Sequence, residues 1–192
     1  MVNILSEANS IIHHFVAELR DVTIQSDRMR FRRNLERLGE IAAYEISKTM
    51  NYDTTEVTTP LGIATVPLIA SQPVLATILR AGLPLHQGLL NYFDQADNAF
   101  ISAYRRHHKD GSFDIHLEYV SSPSIAGRIV ILSDPMLATG QSMVETYKAM
   151  LELGQPAHTH IVAAIASKQG LEYVKAHLSD DLTIWVAAVD EE

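Results

Sequence analysis

Short continuous apolar runs alternate with stretches of helical period along most of the chain. Residues 129–132, Ile-Val-Ile-Leu, form a β-branched and aliphatic run of the kind a parallel strand shows when both faces are buried. Comparable runs at Val74–Leu79, 99–104, 160–166 and 182–188 predict four more strands. Between them the period changes to that of a helix at Leu83–Tyr92 and at Lys168–His177, and again where Val144, Tyr147, Met150 and Leu151 share one face. Strand alternating with helix predicts an α/β fold, a parallel sheet flanked by helices.

The N-terminal third reads differently. Residues 4–19 have the spacing of an amphipathic helix, with Ile4, Ile11, Ile12, Phe15 and Leu19 mostly on one side. A second helix is expected from a cap at Ser26 to about residue 50, its stripe made by Met29, Leu35, Leu38, Ile41, Ala42 and Ile46. Segments 56–59 and 63–66 flank Pro60-Leu61-Gly62 and predict a β-hairpin arm. From 105 to 124 the chain turns polar and then alternates around Asp110-Gly111, as an exposed ribbon long enough to fold over a site. The expected organisation is one domain over 1–192: N-terminal helices to 50, an arm at 56–66 and an α/β core at 74–188 carrying a flexible ribbon at 105–124.

Composition narrows the setting. The 192 residues can bury a full core, and there is no cysteine for a disulfide framework or thiol chemistry. No run approaches the roughly twenty apolar residues of a membrane span, and no signal-peptide pattern opens the chain, so a cytoplasmic protein is expected. The net charge of −8 argues against nucleic-acid binding. A polyanionic small substrate would then need local arginines or a divalent cation. Arg28, Arg30, Arg32, Arg33 and Arg37 read as a solvated face balanced by Glu36 and Glu40. The pairs His13-His14 and His107-His108 read as solvated. His158 and His160 point the same way from one strand, but without a third ligand they read as structural, and no metal site is expected on the protein.

The chemistry concentrates at 128–143. A buried strand ends at Asp134-Pro135, and the small-residue loop Ala138-Thr139-Gly140-Gln141-Ser142 opens a helix. Loop N–H groups and the positive end of the helix dipole converge on one point, to which the Thr139 and Ser142 hydroxyls add donors. A phosphate monoester suits that point. The carboxylate beside it accepts from sugar hydroxyls or holds a metal ion, so a ribose phosphate is the implied ligand. A second strand end, Arg80-Ala81-Gly82, sets a planar donor fork beside a small-residue turn, where open α/β sheets place ligands.

The string Asp134-Pro135-Met136-Leu137-Ala138-Thr139-Gly140-Gln141-Ser142 closely resembles the phosphoribosyl-pyrophosphate (PRPP) signature of uracil phosphoribosyltransferases. Ile78-Leu79-Arg80-Ala81-Gly82 matches that family's pyrophosphate loop, and Tyr104-Arg105 matches the pair that opens its mobile loop. Phe31-Arg32, Leu38-Gly39 and Ala43-Tyr44-Glu45 resemble its N-terminal helices. The resemblance implies a type I phosphoribosyltransferase-like fold and transfer of ribose 5-phosphate from PRPP to uracil, giving UMP and pyrophosphate. It implies that 138–142 hold the 5-phosphate, Asp134 the ribose hydroxyls, and Arg80 and Arg105 the pyrophosphate, with Mg²⁺ riding mainly on substrate oxygens. It also implies a homo-oligomer paired through the arm, with no nucleic acid or membrane as partner. The family continues past the last strand with a Pro-Gly-Leu-Gly-Asp-Ala-Gly-like segment that supplies most contacts to the base. This chain ends at Val189-Asp190-Glu191-Glu192, and no residue is assigned to uracil. Two readings stay open: a gene product longer than this sequence, or a catalytically silent PRPP-binding or subunit-pairing homologue. An RNA-binding regulator on the same fold would want paired acids at 134–135 and a basic face, and has neither.

Overall fold

Strands that are apolar on both faces need cover on both, and the computed structural model supplies it with helices on either side of one sheet. It describes residues 1–107, 113–179 and 181–191, and only the backbone at 103–107 and 113–118. In chain order the elements are β1 (Val2–Ile4), α1 (Ile12–Arg20), α2 (Arg28–Ser47), β2 (Tyr52–Thr59), β3 (Gly62–Ile69), β4 (Val74–Leu79), α3 (Leu83–Tyr92) and β5 (Asp97–His107). There follow β6 (Phe113–Ser121), β7 (Ile129–Ser133), β8 (Met136–Leu137), α4 (Gln141–Met150), β9 (His158–Ser167), α5 (Lys168–His177) and β10 (Leu182–Asp190).

The main sheet runs β1-β10-β9-β7-β4-β5-β6, with β8 added beside β9. All neighbours are parallel except β5 and β6, which form the antiparallel edge ribbon. One face packs on α4 and α5 through Met143, Val144, Tyr147, Leu171 and Val174. The other packs on α1, α2 and α3 through Ile12, Leu38, Ile46, Leu85 and Leu89. From β4 the chain moves outward to β5 and β6, then returns to the other side of β4 to build β7, β9 and β10. The order therefore reverses between β4 and β7, where a sheet of this kind opens a crevice at its carboxyl edge.

Several sequence expectations change at the N-terminus. Residues 4–19 are not one helix: Val2–Ile4 pair in parallel with Ile184–Val186, and α1 starts only at Ile12. The competing demand is the unpaired edge of β10, which β1 covers. Ile11 is consequently exposed rather than on the apolar face, as is Met29 in α2. The cap of α2 is Asp27, not Ser26. The Asp27 carboxylate accepts from the N–H groups of Met29 and Arg30 at 3.0 and 3.1 Å, while the Ser26 hydroxyl donates to Thr23 O. Asp27→Ala should lower stability by about 1 kcal/mol, a melting shift of roughly 2–4 °C for a chain of this size. Ser26→Ala should leave the melt close to wild type.

The basic start of α2 is solvated and ion-paired, as its composition suggests. Arg33 meets Glu36 at 2.7 Å and Arg30 meets Glu18 at 2.9 Å. The hairpin arm is longer than its pattern, with every residue of β2 paired to β3 from Tyr52↔Ile69 to Thr59↔Gly62. The ribbon's tip at Asp110-Gly111 lies outside the described residues.

Candidate active site

Parallel strands end their hydrogen-bond ladders at one edge of the sheet, so the residues that follow them gather there. Asp134 follows β7, Arg80 follows β4, and Arg105 lies on β5 three residues beyond Ser102, the partner of Leu79. Ser167 closes β9, and Asp190, its register partner, closes β10. The edge thus reads Asp190, Ser167, Asp134, Arg80, Arg105 in spatial order. The sequence-predicted residues are brought to one margin, with Asp134 and the 138–142 loop near its middle. The Arg105 backbone pairs with Ile115 in the ribbon.

Asp134 is held by its surroundings in an unusual state for a carboxyl. Burial pushes its pKa up to about 6, opposed only by the Met136 N–H that donates to it. Its own N–H donates to Val162 O at 3.0 Å, which ties the strand end to β9. Behind it, Ser133 Oγ donates to Ala76 O and Thr77 Oγ1 donates to Ser133 O, so the β4 and β7 ends are locked by buried hydroxyls. Pro135 is buried and its carbonyl accepts from the Ala164 and Ile165 N–H groups, fixing the direction in which the loop leaves. A desolvated carboxylate at a crevice is poised for hydroxyl donors or a cation.

The loop is built around Gly140, whose φ of +73° is a left-handed conformation that permits the abrupt entry into α4. Ala138 and Thr139 are exposed and Gly140 is buried. Among the described residues no backbone carbonyl accepts from the N–H groups of Thr139 to Ser142. They are the unpaired donors of a helix start, and α4 adds its dipole. The loop leans on α5: a Cβ on Gly140 would stand 2.6 Å from Gly170 O, and one on Gly170 would stand 2.4 Å from Leu137 O. Ser167 Oγ donates to Ala138 O and accepts from Gly170 N. Neither Ser167 nor Gly170 stands out in the sequence. The only signal was the small-residue spacing at the start of α5, which also fits an ordinary N-cap.

Gly82 also has a packing role that its sequence position does not show. Its N–H donates to Ile78 O at 3.0 Å and is not free for an anion. A Cβ there would meet Thr77 Oγ1 at 2.0 Å, so the glycine is required by packing against β4. Arg80 and Ala81 are exposed at the crevice. The Leu79–Arg80 peptide bond is cis.

A cavity of about 460 Å³ opens beside the loop, walled by 136–139 together with Ile165, Ser167, Gln169, Asp190 and Glu191. Arg20, the last residue of α1, forms an ion pair with Asp190, and Lys168 pairs with Glu191 at 2.8 Å, so both acids on that wall have a cationic partner. Among the described residues no three His, Asp or Glu side chains converge as a metal site. His158 bonds Thr183 Oγ1 at 2.9 Å, and His160 Nδ1 accepts from the Trp185 indole at 3.1 Å. Burial pushes His160 down to about 4, which makes it a neutral packing group.

Comparison with known proteins identifies the fold first. A purine phosphoribosyltransferase from Pyrococcus horikoshii shares the fold with a TM-score of 0.54 at 11% identity, over 82% of this chain and 86% of that one. A solved protein from Aquifex aeolicus superposes with a TM-score of 0.84 at 28% identity, over 99% of this chain and 88% of its own. The architecture is that of a phosphoribosyltransferase. The family model described as uracil phosphoribosyltransferase matches residues 6–192. A uracil phosphoribosyltransferase from Porphyromonas gingivalis is 55% identical over 97% of this chain and 86% of its own length. The chain belongs to the uracil phosphoribosyltransferase family.

Proposed function

We propose that this chain transfers ribose 5-phosphate from PRPP to uracil, forming UMP and pyrophosphate. The observation that carries the reading is the order of groups along the sheet's carboxyl edge. Asp134 and the phosphate loop stand at the centre, Arg80 and Arg105 on the β4 and β5 side, and the cavity on the β9 and β10 side. A ribose seated on Asp134 would then have its leaving pyrophosphate on one side and the base on the other. That separation is what displacement at the anomeric carbon needs.

In this scheme the N–H groups of 138–142 hold the 5-phosphate while the Thr139 and Ser142 hydroxyls add donors. Asp134 accepts from the ribose hydroxyls, and its charge favours the cation-like sugar of the transition state. Uracil N1 bonds to the anomeric carbon as the bond to pyrophosphate oxygen breaks, and the N1 proton leaves to solvent. Arg80 and Arg105 neutralise the departing pyrophosphate. Asp134 would hold Mg²⁺ without a second carboxylate beside it, since Asp190 at the same edge pairs with Arg20, and this fits an ion carried mainly by PRPP oxygens. Bound there, Mg²⁺ would neutralise pyrophosphate charge. The cavity beside Met136–Leu137 is assigned to the base.

Arg105→Ala is expected to lower turnover about 10²-fold, by analogy with loss of other charge-stabilising groups, and to leave the thermal melt unchanged. Steady-state rates beside a melting curve check it, and full activity would remove Arg105 from the scheme. The function itself is tested by UMP formation from uracil, PRPP and Mg²⁺. A folded chain that binds PRPP and makes no UMP would instead be a silent PRPP-binding homologue.

A homo-oligomer is part of the proposal. The β2–β3 arm forms its own two-stranded sheet, with Leu61 and Ile63 exposed at its tip and Leu68 exposed along it. A lone hairpin of this kind is marginal unless it packs against something. Light scattering reads the result directly, and a clean monomer would refute it. A cytoplasmic setting belongs to the same reading, because phosphorylated sugars do not cross bilayers unaided.

A further inference from the structure

The phosphate loop is gripped from behind, by its carbonyl groups. The Ser167 hydroxyl is doubly engaged: its proton goes to Ala138 O, and its lone pair accepts from Gly170 N at 2.8 Å. Ser167 is only 8% exposed and is the N-cap of α5, so this hydroxyl is fixed by the helix it starts. Gly170, three residues on, has its Cα against the same loop. A Cβ there would stand 2.4 Å from Leu137 O and 2.8 Å from Ala138 O. The Leu137 and Ala138 carbonyls are therefore both turned onto α5.

Across a trans peptide the carbonyl and the following N–H point in opposite directions. Turning these two carbonyls onto α5 turns the N–H groups of Ala138 and Thr139 away from it. Were the Ala138 peptide to rotate, it would present a carbonyl oxygen in place of a donor, and an anion would meet partial negative charge. We propose that Ser167, assisted by Gly170, is a positioning residue for phosphoribosyl binding. Its hydroxyl holds the Ala138–Thr139 peptide in the one orientation that aims a backbone donor at the 5-phosphate. The inference rests on reading 138–142 as the phosphate loop.

The test compares wild type, Ser167→Ala and Ser167→Thr. Ribose 5-phosphate binding is read by calorimetry, and KM is measured separately for PRPP and uracil. Ser167→Ala should weaken ribose 5-phosphate binding and raise the PRPP KM about tenfold, the worth of one well-placed hydrogen bond. The uracil KM should move far less, because the Ser167 hydroxyl, although its residue walls the base cavity, is committed to Ala138 O. Ser167→Thr keeps the hydroxyl and should restore binding. A serine that only caps α5 would lower the melting temperature of Ser167→Ala without separating the two KM values, and that result would overturn the proposal. So would wild-type affinity for ribose 5-phosphate in Ser167→Ala. If wild type binds ribose 5-phosphate but makes no UMP, the uracil reading fails while the binding comparison still decides the role of Ser167. If wild type does not bind ribose 5-phosphate, the phosphate-loop reading and this proposal fall together.

Discussion

Asp134→Asn is expected to cut turnover by about 10²–10³-fold and, at neutral pH and above, to make the protein more stable. The two effects share one cause. Burial raises the carboxyl from 3.8 to about 6 in the folded chain. Between those values the native state binds a proton that the unfolded chain has released, so stability falls as pH rises through that window. Above pH 6 the folded protein carries an unfavourable buried charge that costs about 3 kcal/mol. Asparagine keeps an acceptor for the Met136 N–H and carries no charge. Its melting temperature should exceed wild type by several degrees at pH 8 and converge with it near pH 4. Activity of the wild-type enzyme should fall as pH drops below 6, because the protonated carboxyl no longer supplies negative charge to the sugar. Paired melting and rate profiles across pH check both halves. A variant no more stable than wild type at pH 8 would mean that Asp134 is already compensated in the free protein.

Gly140→Ala is expected to destabilise the fold by about 2–4 kcal/mol, combining left-handed backbone with overpacking. The φ of +73° is unfavourable for alanine, and the new Cβ would stand 2.6 Å from Gly170 O and 3.0 Å from Val174 Cγ2. The backbone oxygen cannot rotate aside as a side chain can. The loop must lift from α5, and ribose 5-phosphate affinity should fall with it. Chemical denaturation and calorimetry measure the two losses. An unchanged affinity in the destabilised variant would show that contact with α5 is dispensable for the anion site.

Much of this was legible in the chain. The continuous runs at Val74–Leu79 and 129–132 reported strands buried on both faces. The breaks at Arg80 and Asp134 marked where those strands stop, and therefore where ligands gather. Helices Leu83–Tyr92 and Lys168–His177 fell where their period placed them. Errors arose where a local pattern competed with a distant partner. Residues 4–19 carry a spacing compatible with a helix, but the open edge of β10 recruits Ile4, together with Val2 and Asn3, as a strand. The sequence reading puts the cap of α2 at Ser26, one residue too early. The backbone places the carboxylate of Asp27 over the helix start, while the Ser26 hydroxyl goes back to Thr23. Gly82 belongs to the loop the sequence marks, but its packing against Thr77, which leaves no space for a Cβ, is visible only in the fold.

The proposed site is written in local order from Asp134 to Ser142, as a strand-end carboxylate followed by a hydroxyl-rich helix start. What faces that site was a matter of tertiary structure. Ser167 and Gly170 lie about thirty residues away and carry no chemical signature. They matter only because parallel pairing brings the end of β9 beside the loop and because α5 approaches closely enough to leave no space for a Cβ. The shift of Asp134 to about 6 is of the same kind. An aspartate's type is local, but its solvent is removed by the neighbouring strands and the folded-back loop, and only their packing sets how much that removal costs.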